Sequence, residues 1–183
     1  MRLRFAGILF DEPGLLFAPS AWTIAASADG RRAVIGSADG TVRVWDIEHG
    51  KPLRMWRGQV YQGMMRGHIY QIDAAAVSAD GRWAITNSQD GMVCVWDLES
   101  GEPPETLTDR EGRVAAVAIS SDGSLAVTGG GDGVVRVWDL QHRLQLASFT
   151  ADGEITCVAA SPGANFVSAG TADGAVHLLK LLR

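Results

Sequence analysis

Asp39-Gly-Thr-Val-Arg-Val-Trp45-Asp46 decides the fold, because the chain writes it again and again. It returns as Asp90-Gly-Met-Val-Cys-Val-Trp96-Asp97 and as Asp132-Gly-Val-Val-Arg-Val-Trp138-Asp139. A worn fourth copy reads Asp173-Gly-Ala-Val-His-Leu-Leu179-Lys180. The repeated Asp stands at 39, 90, 132 and 173, intervals of 51, 42 and 41 residues. Self-similarity at such a period marks units that cannot bury their own faces and must stack on their neighbours. This pattern points toward a binding scaffold and away from an enzyme.

Each repeat carries two turn signals ten residues apart: Asp29-Gly30 before Asp39-Gly40, Asp80-Gly81 before Asp90-Gly91, and Asp122-Gly123 before Asp132-Gly133. In the fourth copy Pro162-Gly163 precedes Asp173-Gly174. Asp-Gly supplies the positive φ and the side-chain-to-backbone bond that tight hairpins need. The segments between turns, Trp22 to Ser27, Arg32 to Ser37 and Thr41 to Asp46 in the first repeat, are rich in Val, Ile, Thr, Trp and Ala. They are too short and too regularly interrupted for helices, so they read as strands a, b and c. A strand d follows each Trp-Asp: Pro52 to Trp56, Glu105 to Thr108, and Leu144 to Phe149.

Over about residues 20 to 183, the chain resembles the WD-repeat β-propeller family. Three Trp-Asp pairs in phase with paired Asp-Gly turns carry the resemblance, and Gly67-His68 adds the family's Gly-His pair once. The resemblance implies a buried hydrogen-bonded set in the second repeat: His68, Thr86, Asp90 and Trp96. The third repeat keeps Thr128, Asp132 and Trp138 but has Arg110 at the His position. The first keeps Asp39 and Trp45, with Ile35 in place of the hydroxyl residue, and the fourth keeps Asp173 alone. A partial polar network stabilises less than a complete one, so blade two should be the most rigid.

The expected fold class is all-β, a β-propeller of four-stranded antiparallel blades. Four blades lie in this chain, either a partial propeller or half of an eight-bladed ring. One domain spans 1–183: an N-terminal strand and cap (1–20), blade 1 (21–57), a duplicated d–a connection (58–68), blade 2 (69–109), blade 3 (110–150) and blade 4 (151–183).

The duplication accounts for the long first interval. Met55-Trp-Arg-Gly-Gln-Val-Tyr-Gln-Gly63 is followed at once by Met64-Met-Arg-Gly-His-Ile-Tyr-Gln-Ile72. In WD-repeat propellers the d–a connection lies on the rim called the top, where many partners bind. The copy therefore reads as an enlarged recognition loop carrying Trp56, Tyr61, Met64 and Met65, or as a neutral bulge, since loops tolerate insertion at low entropic cost. The rest of the expected partner-binding rim is Tyr70, Gln71, Gln89, Arg113 and Glu154.

Composition narrows the partners. The 183 residues are 46% hydrophobic with 22 glycines, and the formal net charge is −5. The isoelectric point is near 5.3, and no basic stripe is visible, which argues against nucleic acid or an anionic membrane as partner. No apolar stretch approaches the roughly 20 residues that span a bilayer. The apolar run Phe5 to Phe10 is cut short by Asp11-Glu12-Pro13, too early for a signal-peptide core. Cys94 and Cys157 lie within expected strands and form no Cys-x-x-Cys pair, so a reducing, cytoplasmic setting is expected.

Catalysis finds little support. Beyond His68, the residues His49, His142 and His177 show no metal-ligand spacing. Gly129-Gly-Gly-Asp-Gly133 sits in a hairpin and opens no helix, so it is not a phosphate cradle. Ser120-Ser121 has no partnered base in the pattern. No cofactor and no metal is expected. What remains is a protein–protein interaction scaffold or sensor module, or a half-propeller completed by homodimerisation or by another polypeptide. The resemblance adds signalling ATPases, kinases and proteases as settings for such modules.

Ring geometry sharpens the second reading. Seven-bladed rings give about 51° per blade, so four blades cover only about 206°, whereas eight blades need about 45° each. The fourth repeat stops after strand c (Ala175 to Leu181), and Leu3-Arg4-Phe5-Ala6-Gly7 resembles the strand-d segment that begins at Leu53. That N-terminal segment is expected to supply the missing strand, in cis or, in a dimer, in trans.

Overall fold

The computed structural model describes residues 20–61, 64–107, 113–163 and 165–182. Blade 1 is an antiparallel meander of β1 (Ala21–Ala26), β2 (Arg32–Ser37), β3 (Val42–Asp46) and β4 (Lys51–Trp56). The duplicated connection forms a small hairpin of its own, β5 (Gln59–Tyr61) with β6 (Met64–Arg66). Blade 2 holds β7 (Ile72–Val77), β8 (Trp83–Ser88), β9 (Val93–Asp97) and β10 (Glu105–Thr106). Blade 3 holds β11 (Val114–Ile119), β12 (Leu125–Gly130), β13 (Val134–Asp139) and β14 (Leu144–Thr150). Among the described residues, blade 4 holds β15 (Ile155–Ala160), β16 (Phe166–Thr171) and β17 (Val176–Lys180). Among the described residues there is no helix.

Local chemistry explains the meander. In the b–c turns, Gly40, Gly91, Gly133 and Gly174 take φ between 70° and 90°, a region costly for residues with a Cβ. The Asp before each accepts the N–H two residues on, as in Thr41 to Asp39 (3.1 Å), Met92 to Asp90 (2.9 Å) and Val134 to Asp132 (3.0 Å). The a–b turns add a hydroxyl latch: Ser78 Oγ donates to Asp80 and Ser120 Oγ to Asp122, each at 2.6 Å. Ser27 joins its turn in the same way, which ends β1 one residue earlier than the sequence suggests.

The apolar cores lie between blades. Val34, Val42 and Val44 of blade 1 pack on Ile72, Cys94 and Trp96 of blade 2. Ile85, Val93 and Val95 of blade 2 meet Val114, Ala126 and Trp138 of blade 3. Val127, Val135 and Val137 of blade 3 meet Ile155, Val167 and Ala169 of blade 4. One face of each blade thus meets the opposite face of the next, and burial of both, at about 25 cal/mol per Å² of apolar area, holds the stack.

Trp56 differs from expectation. It closes β4, where the expected strand d also ends, but it is half-buried instead of displayed by the d–a loop, with its ring centroid 5.2 Å from that of Trp96. Its cross-strand partner is Val42, so period-two alternation sends both side chains to the blade 2 face. Leu107 and Phe149 follow the same rule toward blades 3 and 4. The expected N-terminal strand Leu3 to Gly7, the cap up to residue 19, and Arg110 fall outside the described residues.

Candidate interaction rim

Blade 2 is pinned by a buried polar relay. The indole N–H of Trp96 donates to Thr86 Oγ1 (2.8 Å), and Thr86 Oγ1 meets His68 Nε2 (2.8 Å). On the other side of the ring, His68 Nδ1 donates to the Asp90 carboxylate (3.1 Å). Asp90 also accepts the N–H groups of Met92 (2.9 Å) and Ile69 (3.3 Å), so one carboxylate ties a turn, a loop and a ring together. Blade 3 keeps the Trp138-to-Thr128 bond (3.0 Å), and its Asp132 pairs instead with Arg136 (2.7 Å). In blade 1, Asp39 holds Thr41 and Arg57 (3.1 Å), while Trp45 is half-buried.

The relay makes stability depend on pH. Burial lowers the proton affinity of His68, but Cys94 and the Asp90 carboxylate raise it and prevail, at about 9. Asp90 moves the other way: burial raises it, while His68 and the two backbone donors lower it and prevail. A histidine whose folded pKa exceeds its ordinary value of 6.5 stabilises fully below pH 6.5 and loses that contribution as pH rises through about 9. Urea midpoints should therefore fall between pH 6.5 and 9. A His68→Gln variant should be less stable at neutral pH and flat across that window; a flat wild-type curve would remove the charged pair.

The rim above this relay is built by one recurring latch. The residue before each strand a accepts, through its carbonyl, the N–H of a b–c turn residue. The pairs are Ser20 with Ala38 (3.0 Å), Gln71 with Gln89 (3.1 Å), Arg113 with Gly131 (2.9 Å) and Glu154 with Ala172 (2.9 Å). The latch places Gln71, Gln89, Arg113 and Glu154 along one rim. Tyr70 precedes the blade 2 latch and is 57% exposed. Gln89, Arg113 and Glu154 are exposed as well, and Gln71 is half-buried, with Nε2 donating to Asp73 (3.1 Å). Arg113 reaches across to Asp73 at 3.3 Å, bridging blades 2 and 3.

The duplicated connection is pinched at its base. Gly58 donates its N–H to the His68 carbonyl (3.1 Å), so the two residues that flank the insertion meet at one point of the rim. That close approach needs glycine: a Cβ on Gly58 would stand 2.3 Å from the His68 oxygen. Tyr61 and Met64 pair at the outer end of the hairpin, with Met65 next to them opposite Val60. Trp56 is separated from this loop by its packing on Trp96.

The remaining histidines have structural partners. His49 and His142 sit in exposed c–d turns, each with Nδ1 on the Asp of its Trp-Asp pair, Asp46 (2.9 Å) and Asp139 (3.0 Å). His177 packs its ring on Phe149, centroids 5.1 Å apart. Among the described residues, no group of three or more His, Cys, Asp or Glu is placed to hold a metal ion. Among them too, no helix is long and apolar enough to cross a membrane.

Comparison with known proteins agrees with this geometry. The model of the WD domain, G-beta repeat, matches residues 18–46, 59–97, 101–139 and 143–179. The chain belongs to the WD-repeat family, and its blades are WD-repeat blades. The human angio-associated migratory cell protein is 31% identical over 87 residues, 45% of this chain and 19% of that protein. Autophagy-related protein 16 of Arabidopsis thaliana is 26% identical over 167 residues, 91% of this chain and 24% of that protein. The chain thus spans a fifth to a quarter of the length of these relatives. A solved structure of U3-55K superimposes with a TM-score of 0.77 at 17% identity, over 90% of this chain and 50% of that chain. Family membership supports a protein–protein interaction scaffold.

Proposed function

We propose that the chain is a non-catalytic protein-interaction module that takes a protein partner on the rim of d–a and b–c connections. The observation that carries this reading is the latch series, which holds exposed Tyr70, Gln89, Arg113 and Glu154 on one rim of a rigid stack. Tyrosine and arginine combine large contact area with directional polar groups, the usual makeup of binding anchors. The β5–β6 hairpin is joined to the rim where Gly58 meets His68, two residues before Tyr70, and a rigid scaffold carrying a variable loop is a common way to build a recognition surface. Two free cysteines, one of them exposed, favour a cytoplasmic setting.

Deleting residues 59–67 joins Gly58 directly to His68, two residues already hydrogen-bonded. This cut keeps Trp56, whereas removing Met55 to Gly63 would put Met65 where Trp56 meets Trp96. The shortened chain should melt within a few degrees of the full one. Quantitative pull-downs should lose the same captured proteins with this deletion as with a Tyr70→Ala, Arg113→Ala double variant. Unchanged capture by both folded variants would reject the rim as the binding surface.

A further inference from the structure

Among the described residues, the two ends of the stack are complementary halves of one repeating interface. At every internal joint, two strand-c residues of one blade face the next blade: Val42 and Val44, Val93 and Val95, Val135 and Val137. Blade 4 presents Val176 and Leu178 at those places, 79% and 73% exposed. The opposite half of each joint is the first residue of strand a together with the Trp of strand c, as in Ile72 with Trp96 and Val114 with Trp138. In blade 1 these register positions hold Ala21 and Trp45, with exposed Ile24 beside them.

The glycine sockets of the joints are built alike. A Cβ on Gly36 would stand 2.5 Å from Ile72, and one on Gly129 2.5 Å from Ile155, so a strand-b glycine receives the first residue of the next blade. Gly170 is the counterpart in blade 4, paired with Cys157 as Gly129 is with Ala116. There the nearest atom is Cys157 Sγ, 2.7 Å from where a Cβ would stand. Thr23 Cγ2 stands 2.8 Å from the same place on Gly36, where Ile72 is seated as well, so a strand-a side chain at this point leaves the socket usable. Ala21 is the one first-strand residue of the four that is small.

We infer that the exposed face of blade 4 docks blade 1 of a second copy of this chain. Two such head-to-tail joints close a ring of eight blades at about 45° each, close to the ordinary wedge. Self-association without closure would instead run on as an open filament. The joint lies on the blade flanks and leaves the rim free, so loss of rim binding and loss of pairing are separately measurable.

The test is an Ala21→Cys variant of the full chain, exposed to a mild copper oxidant and run on a non-reducing gel beside wild type. Native Cys157 is the acceptor. Ala21→Cys should convert to a disulfide-linked dimer at least tenfold more than wild type. Light scattering on the unoxidised wild type should give twice 19.4 kDa. Leu178→Asp should abolish the dimer while leaving the far-ultraviolet spectrum unchanged, since Leu178 is largely solvent-exposed in the single chain. A 19.4 kDa monomer, a ladder of higher oligomers, or a dimer insensitive to Leu178→Asp would each overturn the inference.

Discussion

Trp96→Ala should lower the unfolding free energy by about 3–5 kcal/mol, the usual range for emptying a buried aromatic site. The side chain is 1% exposed. It forms the joint between blades 1 and 2 with Val42, Val44 and Ile72, and its indole N–H anchors the relay through Thr86. Its removal opens a cavity and leaves Thr86 short of one partner, an additional cost in a buried site. Trp56→Ala removes the other half of the aromatic pair but vacates a half-buried position. Its cost should be about 2 kcal/mol, from partial area and ring pairing. Trp96→Phe keeps most of the volume and loses only the N–H, so it should fall between the two. Urea melts at pH 6.5 decide; equal losses from Trp96→Ala and Trp56→Ala would reject this packing.

Gly130→Ala should cost about 3 kcal/mol, while Gly131→Ala, one residue away, should cost less than about 1 kcal/mol. A Cβ on Gly130 would stand 2.0 Å from the Arg113 carbonyl oxygen and 2.8 Å from Val114 Cα, backbone atoms that cannot rotate away. A Cβ on Gly131 would find that oxygen at 3.9 Å, an ordinary contact. Ser37, Ser88 and Thr171 stand at the Gly130 register in the other repeats. The end of strand a can therefore sit further out, but in blade 3 it has closed onto the glycine. Reopening it draws Val114 out of its joint with blade 2. For a chain of this size the difference corresponds to a melting point lower by about 4–12 °C for Gly130→Ala than for Gly131→Ala. Equal melting points would mean that β11 moves freely and that the Arg113 latch is weak.

Much of this architecture was legible because its causes are short-ranged. Asp-Gly turns and alternation over five or six residues act within a hairpin, so blade number, strand order and the Asp39, Asp90 and Asp132 turns follow from neighbouring residues alone. The grouping of His68, Thr86, Asp90 and Trp96 came from the family resemblance, and the distances among them come from the fold. The duplicated segment that contains Trp56 points it toward a loop, whereas it closes β4 and packs on Trp96. Its parity with Val42 across the c–d hairpin carried the signal that it faces blade 2.

By itself, the sequence determined the repeat, its register and the polar and apolar faces of each strand, since these depend on period-two geometry and on turn chemistry. Only the tertiary structure decided which faces meet. The aromatic pair of Trp56 and Trp96, the pinch between Gly58 and His68, the closure of Arg113 on Gly130 and the sulfur over Gly170 all join residues of different strands or blades. Each depends on how closely two backbones approach, and close packing sets that distance only when the whole stack is assembled.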